Sequence, residues 1–172
     1  MIYHEMRDIA LSGDVLMVEG RGVISALIRA FTGQQISHVA LLIWITDTLW
    51  VAEMKEGIGY RLLPASLWVE DVQASGATVY YGSAPEAVLK RPFDLVEAVL
   101  NYRQRRYSYR SLIPIWWAQI TRSKQTVGLV CSTFVQRIWE SAGMVFEQTA
   151  DPGDYMRLCT QVMALEAGDA GA

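Results

Sequence analysis

The sequence contains few of the residues that most readily identify a function. Two cysteines and two histidines occur in 172 residues, too few for a disulfide framework, so we expect a reducing compartment. Their spacings are unrelated to one another and match no zinc pattern. We therefore predict neither a metal site nor a cofactor.

An excess of positive charge and a long apolar run are also missing. The net charge is −3, which argues against nucleic acid as a partner, because such proteins usually present a basic face. The longest apolar run, Val39–Ile45, is far shorter than the roughly 18–20 residues that span a bilayer. The N-terminus is polar and mixed in charge and does not resemble a secretory signal. We expect a cytoplasmic protein, with lysis or packaging into a particle as possible routes of release.

The chain is instead rich in core-forming residues. Hydrophobic residues make up 52% and charged residues 19%, with six tryptophans and eight tyrosines. The length suits one hydrophobic core. We predict a single domain over residues 1–165 and a flexible tail over residues 166–172. The oligomeric state stays open.

The order of predicted elements mixes helices with strands. Residues 36–45 are apolar on both faces, which predicts a strand in the middle of a sheet. Asp47-Thr48 is typical of a hairpin turn, with Leu49–Met54 as the returning strand. Further strands are predicted at 15–18, 60–63 and 78–81, and helices at 23–31, 64–69, 92–102 and from 131, with a short final helix after residue 153. The pattern predicts an α+β fold, an antiparallel sheet packed against helices.

Cys131 stands at the predicted start of a helix. The apolar residues that follow it recur at helical spacing, and Gly143 is suited to end the helix; the apolar stripe comprises Phe134, Val135, Ile138, Trp139 and Ala142. A helix N-terminus favours a thiolate and offers N–H donors to an oxyanion. The same position also suits a buried core cysteine, and Cys159 is interpreted as core packing.

His38 is the candidate base for Cys131. His4 lies in the polar N-terminal segment, where a solvated residue is expected, whereas His38 lies in the central strand. A histidine there needs partners for both ring nitrogens. It is either a core histidine with satisfied hydrogen bonds or a general base that faces the Cys131 helix.

Two glutamates are candidates to orient His38. A two-residue turn at Asp47-Thr48 pairs residue 42 with residue 53 and residue 38 with residue 57, which places His38 and Glu53 on one face of the sheet. A three-residue turn would favour Glu56. Glu53 is flanked by apolar residues and needs a partner, whereas Glu56 is typical of a solvated turn. We therefore predict Glu53.

Together these segments resemble the circularly permuted branch of the NlpC-type thiol hydrolases, the YiiX-like papain-fold family. In that family the histidine and the acidic residue precede the cysteine. The matching segments are Gly13-Asp14-Val15-Leu16, Ser37-His38-Val39-Ala40, Val51-Ala52-Glu53-Met54, Val130-Cys131-Ser132-Thr133-Phe134-Val135 and Asp151-Pro152-Gly153-Asp154.

The resemblance implies a single-domain papain-like fold and a cysteine hydrolase with a Cys131, His38 and Glu53 triad. A family tyrosine near the oxyanion site corresponds to Tyr107 or Tyr109, and Ser37 and Trp116 are further substrate-binding candidates. The expected substrate is an amide in a peptide or cell-wall peptide. A lipid acyl group, as in relatives of lecithin:retinol acyltransferase, is the alternative, and a non-catalytic binding or assembly module with the same fold is the third.

Overall fold

The chain folds around one antiparallel sheet. The computed structural model describes residues 1–102 and 130–166. Its strands are β1 (Val15–Glu19), β2 (His38–Ile45), β3 (Thr48–Lys55), β4 (Gly59–Pro64), β5 (Thr78–Ser83) and β6 (Gln161–Leu165). They lie in the order β4-β3-β2-β1-β5-β6, and every neighbouring pair is antiparallel. The predicted α+β fold with an antiparallel sheet is confirmed.

Helices cover both faces of this sheet. They are α1 (Tyr3–Ile9), α2 (Val23–Thr32), α3 (Ala65–Ala74), α4 (Glu86–Leu89), α5 (Pro92–Asn101), α6 (Cys131–Ser141) and α7 (Tyr155–Leu158). Helices α5 and α6 share a hydrophobic cluster with one face, and α1 and α3 share a second cluster with the other. No helix within residues 1–102 and 130–166 combines the length and apolarity needed to cross a membrane.

Strand β2 lies inside the sheet, as its two apolar faces predict. Val39, Leu41 and Ile43 belong to the cluster of α5 and α6, whereas Ala40 and Leu42 belong to the cluster of α3. All five are fully buried. The alternation of side chains along a strand therefore sends the two sets to opposite helical layers.

The turn between β2 and β3 lies one residue earlier than predicted. Ile45 pairs with Thr48, and Leu42 pairs with Val51 rather than with residue 53. Thr46 adopts φ 54 in the two-residue turn, a left-handed conformation that threonine seldom adopts and that its sequence does not indicate. The predicted pairing is thus wrong by two residues. A shift of two residues in the pairing leaves every side chain on the same face of the sheet. Glu53 and His38 therefore share one face, as predicted.

The last part of the chain contains the predicted short helix and a strand that was not predicted. Only Tyr155–Leu158 is helical after the turn at Pro152–Asp154, and Gln161–Leu165 forms the edge strand β6. Cys159 is half-buried and lies beside Gly82 of β5, where an added Cβ would meet its Sγ at 2.6 Å. The close approach of β5 to Cys159 therefore requires glycine at position 82. Residues 167–172 of the predicted tail lie outside the described residues.

Candidate active site

Cys131 is the first residue of α6. The first hydrogen bond of this helix runs from the Phe134 N–H to the Val130 carbonyl, at 2.9 Å. The N–H groups of Cys131 and Ser132 therefore precede the hydrogen-bonded turns of the helix, at the end where backbone donors lack intrahelical acceptors. The predicted apolar stripe of the helix is buried in the core. Cys131 itself is 4% exposed.

A buried tyrosine fixes the start of this helix. The Tyr155 hydroxyl donates to the Ser132 carbonyl at 2.8 Å. The turn that precedes Tyr155 is capped by Asp151, whose Oδ1 accepts from the Asp154 N–H at 2.9 Å. The segment after α6 thus folds back against its N-terminus and holds Cys131 in place.

His38 and Glu53 form a short ion pair. His38 Nε2 donates to Glu53 Oε2 at 2.6 Å. The glutamate side chain is 2% exposed and the histidine side chain 23% exposed. Cys131 also interacts electrostatically with the imidazole and raises its pKa, and both side chains line one cavity. The structure therefore brings together all three residues that the sequence proposed as a triad.

Arg61 is a fourth member of this cluster and was not predicted from the sequence. It lies directly opposite Glu53 on β4, and its Nε–H donates to Glu53 Oε1 at 2.7 Å. His38, Glu53 and Arg61 thus come from three adjacent strands. A signal for Arg61 existed, because a carboxylate inside an apolar strand needs a cationic partner and Arg61 lies in the next predicted strand.

The contacts of this cluster shift the pKa values of both ionisable partners. Burial alone would raise the pKa of Glu53, but the hydrogen bonds and charges of His38 and Arg61 outweigh it and lower that pKa to about 2. Burial would likewise lower the pKa of His38, but the charge of Cys131 and the hydrogen bonds to Cys131 and Glu53 raise it to about 10. The protonated imidazole is therefore favoured between the sulfur and the carboxylate.

A cavity of about 520 Å³ opens onto the cluster. Cys131, His38 and Glu53 line it together with residues from β1, α2 and α3 and from the loops beside them. His38 is the first residue of β2, so the cavity lies at the end of the sheet, where the α6 layer and the α3 layer meet. Such a volume accommodates a small organic group.

The other site candidates have different positions. Ser37 lines the cavity, but its hydroxyl is buried and donates to the Val18 carbonyl at 3.3 Å while accepting from the Gly20 N–H at 3.2 Å. Glu56 also lines the cavity, but the carboxylate that contacts His38 is that of Glu53. Tyr107, Tyr109 and Trp116 lie outside the described residues.

We expect the ion pair to stabilise the fold most strongly between about pH 4.5 and 6.5. The pKa of Glu53 is lowered from 4.5, so its contribution is present above that pH and is lost as the pH falls towards 2. The pKa of His38 is raised from 6.5, mainly by Cys131 and in part by Glu53, so the part of its contribution that depends on Glu53 is present below that pH and is lost as the pH rises towards 10. The difference in Tm between wild type and Glu53→Gln should therefore be largest in that window and should narrow on both sides. A difference in Tm that does not vary with pH would contradict a stabilising His38–Glu53 ion pair.

Comparisons with known proteins show the fold and little else. No family model matches the chain, and no curated protein matches it. Among solved structures the chain has a YiiX-like fold. The metalloprotein YiiX from Escherichia coli O157:H7 superposes with a TM-score of 0.61 and 13% sequence identity, over 91% of this chain and 96% of that one. At that identity the likeness extends to the fold alone.

The side chains at the site do not suit a metal ion. Within residues 1–102 and 130–166, no three histidine, cysteine, aspartate or glutamate side chains form a group that could hold one. Glu53 directs one oxygen to His38 and the other to Arg61. YiiX is described as a metalloprotein, and these residues of the present chain offer no such group of donors.

Proposed function

We propose that the protein is a cysteine hydrolase that cleaves an amide bond, with Cys131 as nucleophile, His38 as base and Glu53 as the residue that orients His38. The observation that carries this proposal is the position of His38, which hydrogen-bonds the Glu53 carboxylate and interacts with the Cys131 side chain in a cavity that all three residues line. A nucleophile, a base and an orienting group in contact are the parts that covalent acyl transfer needs. The same proposal includes a papain-like fold with a circularly permuted chain order, in which the histidine and the glutamate precede the cysteine.

The chemistry would proceed in two stages. His38 takes the proton of the Cys131 thiol, and the sulfur attacks the carbonyl carbon to form a C–S bond and an oxyanion. The oxyanion collapses, the C–N bond breaks, and the amine leaves with the proton that His38 held. Water, deprotonated by His38, then attacks the thioester and releases the acid and the free thiol.

Two parts of the fold would support these steps. The N–H groups at the start of α6 would donate to the oxyanion. Arg61 would keep Glu53 ionised, and Glu53 would accept the Nε2 proton of His38. The nitrogen Nδ1 is then the one left to exchange a proton with the sulfur.

The reactivity of the two cysteines tests this proposal most directly. Burial, with a smaller contribution from the charge of Asp14, raises the pKa of Cys159 to about 12, so very little thiolate is present there at neutral pH. Cys131 instead lies beside a protonated imidazole at a helix start. We expect iodoacetamide at pH 7 to label Cys131 at least about 10-fold faster than Cys159, as measured by peptide mass spectrometry over time.

His38→Ala provides the control for that measurement. It should slow the labelling of Cys131 and leave Cys159 unchanged, because His38 contacts only the former thiol among the two. Equal and slow labelling of both cysteines in the wild-type protein would contradict the hydrolase and would favour a non-catalytic binding module with this fold.

A further inference from the structure

The loop between β1 and α2 borders the cavity beside the thiol, and Arg21 of this loop is one of the lining residues. The residue before it, Gly20, is fixed at both polar backbone atoms. Its N–H donates to the Ser37 hydroxyl at 3.2 Å, and its carbonyl accepts from Arg29 Nη1. An added Cβ at Gly20 would lie 2.4 Å from the Ser25 hydroxyl, so the loop requires glycine there. These contacts hold the backbone of Arg21 at the cavity.

The side chain of Arg21 reaches the turn between α3 and β5. A Cβ built on Gly76 of that turn would lie 3.9 Å from Arg21 Nη1 and 4.0 Å from its Cδ. Ser75 and Ala77, on either side of Gly76, line the same cavity. Arg21 is exposed. The guanidinium group therefore lies at the open side of the cavity, where both solvent and a ligand can reach it.

Arg21 also carries a positive charge that no neighbour compensates. Within residues 1–102 and 130–166, it is in no ion pair and makes no side-chain hydrogen bond. Glu53 has its ion pairs inside the cluster. Lys55 and Glu56 line the cavity at the end of β3, on the other side of His38, and their opposite charges offset one another. The side of the cavity next to β1 is thus positively charged.

We propose that Arg21 is a specificity-determining residue whose guanidinium group binds a carboxylate of the substrate. This inference rests on the proposed hydrolase function and narrows its substrate to an amide that carries a free carboxylate, as an acidic side chain or as a chain end. A guanidinium group presents two parallel N–H donors that match the two oxygens of a carboxylate. A neutral acyl chain of the same length would leave this group to solvent.

Two thiol reagents of equal length measure the preference without requiring hydrolysis. N-iodoacetyl-β-alanine ends in a carboxylate, and N-iodoacetyl-β-alaninamide ends in a neutral amide of the same shape. Peptide mass spectrometry at pH 7 gives the rate at which each labels Cys131, relative to its rate with N-acetylcysteinamide. The glycine and 4-aminobutanoate analogues vary the distance from the reactive carbon to the carboxylate. We expect the wild type to prefer the carboxylate with at least one spacer, and Arg21→Gln to lower that preference about 5-fold or more.

Arg91→Gln is the matched control, because it removes one positive charge elsewhere on the surface. The Arg91 side chain is 61% exposed and does not line the cavity. This variant should keep the wild-type preference. His38 is present in all three proteins, so its charge does not contribute to the difference. A wild-type protein that prefers the carboxylate with no spacer, or an equal loss of preference in the two variants, would overturn the proposal.

A binding measurement separates this inference from the hydrolase proposal. In Cys131→Ala labelled with ¹⁵N, the Arg21 Nε–H signal is assigned by its absence when Arg21→Gln is added. N-acetyl-β-alanine should shift that signal in a saturable way, whereas N-acetyl-β-alaninamide should not. An unmoved signal in a protein whose wild type hydrolyses p-nitrophenyl acetate supports the hydrolase and overturns the inference. A shifted signal in a protein whose wild type does not hydrolyse this ester supports the carboxylate site and contradicts the hydrolase.

Discussion

Replacing Cys131 by serine is expected to lower kcat/KM on any substrate of this protein by about 10⁴-fold or more. A serine hydroxyl has a much higher pKa than a thiol, so it stays neutral. It therefore lacks the charge through which Cys131 raises the pKa of His38. The change removes no large side chain from the core, so the circular dichroism spectrum and Tm should stay near those of the wild type. Steady-state hydrolysis of p-nitrophenyl acetate, an activated ester, measures the loss.

Cys159→Ser is the matched control for this substitution. Cys159 is the other cysteine of the chain and is half-buried beside Gly82 of β5. Its replacement should leave kcat/KM unchanged. Wild-type turnover in Cys131→Ser, or a comparable loss in Cys159→Ser, would show that the nucleophile lies elsewhere.

Glu53→Gln is expected to destabilise the fold by about 3–5 kcal/mol in addition to lowering activity. Arg61 is 18% exposed and has its ion pair with Glu53, so removal of the carboxylate leaves a largely buried positive charge without compensation. His38 at the same time loses the acceptor that orients its ring. Urea unfolding gives the loss of stability, and the esterase assay should show a fall in kcat of about 100-fold or more.

A double replacement separates the two effects. Glu53→Leu combined with Arg61→Leu removes both charges, and apolar replacements of buried ion pairs often recover stability. We expect the double variant to be more stable than Glu53→Gln but no more active. If activity instead returns together with stability, Glu53 is only a structural partner of Arg61 and does not orient the base.

The sequence predicts the parts of this structure that depend on local patterns. The alternation of apolar residues from Val39 to Ile45 indicates an internal strand, and the helical stripe that begins at Phe134 places Cys131 at a helix start. The pairing of His38 with Glu53 was predicted on the correct face even with the wrong register. Side chains alternate between the two faces of a strand with a period of two residues. An error of two residues in the predicted pairing therefore leaves each side chain on its correct face.

Other features depend on contacts that local patterns do not contain. The sequence offers Arg61 as a cation on the next strand but does not show that it lies opposite Glu53. The register of β4 is set by the turn at residues 56–58, whose geometry the sequence does not specify. Strand β6 is short and half-exposed, so its pattern is too weak to distinguish it from a helix end.

The three charged members of the cluster lie close together in sequence as well as in space. Glu53 follows His38 by 15 residues and precedes Arg61 by eight, all within the consecutive hairpins β2-β3-β4. Contacts at short sequence separation close before distant ones, and synthesis delivers the N-terminal part first. We therefore expect the base and its two partners to assemble early in folding, while Cys131 arrives later with α6. The nucleophile would thus meet its base only once the core has closed over both.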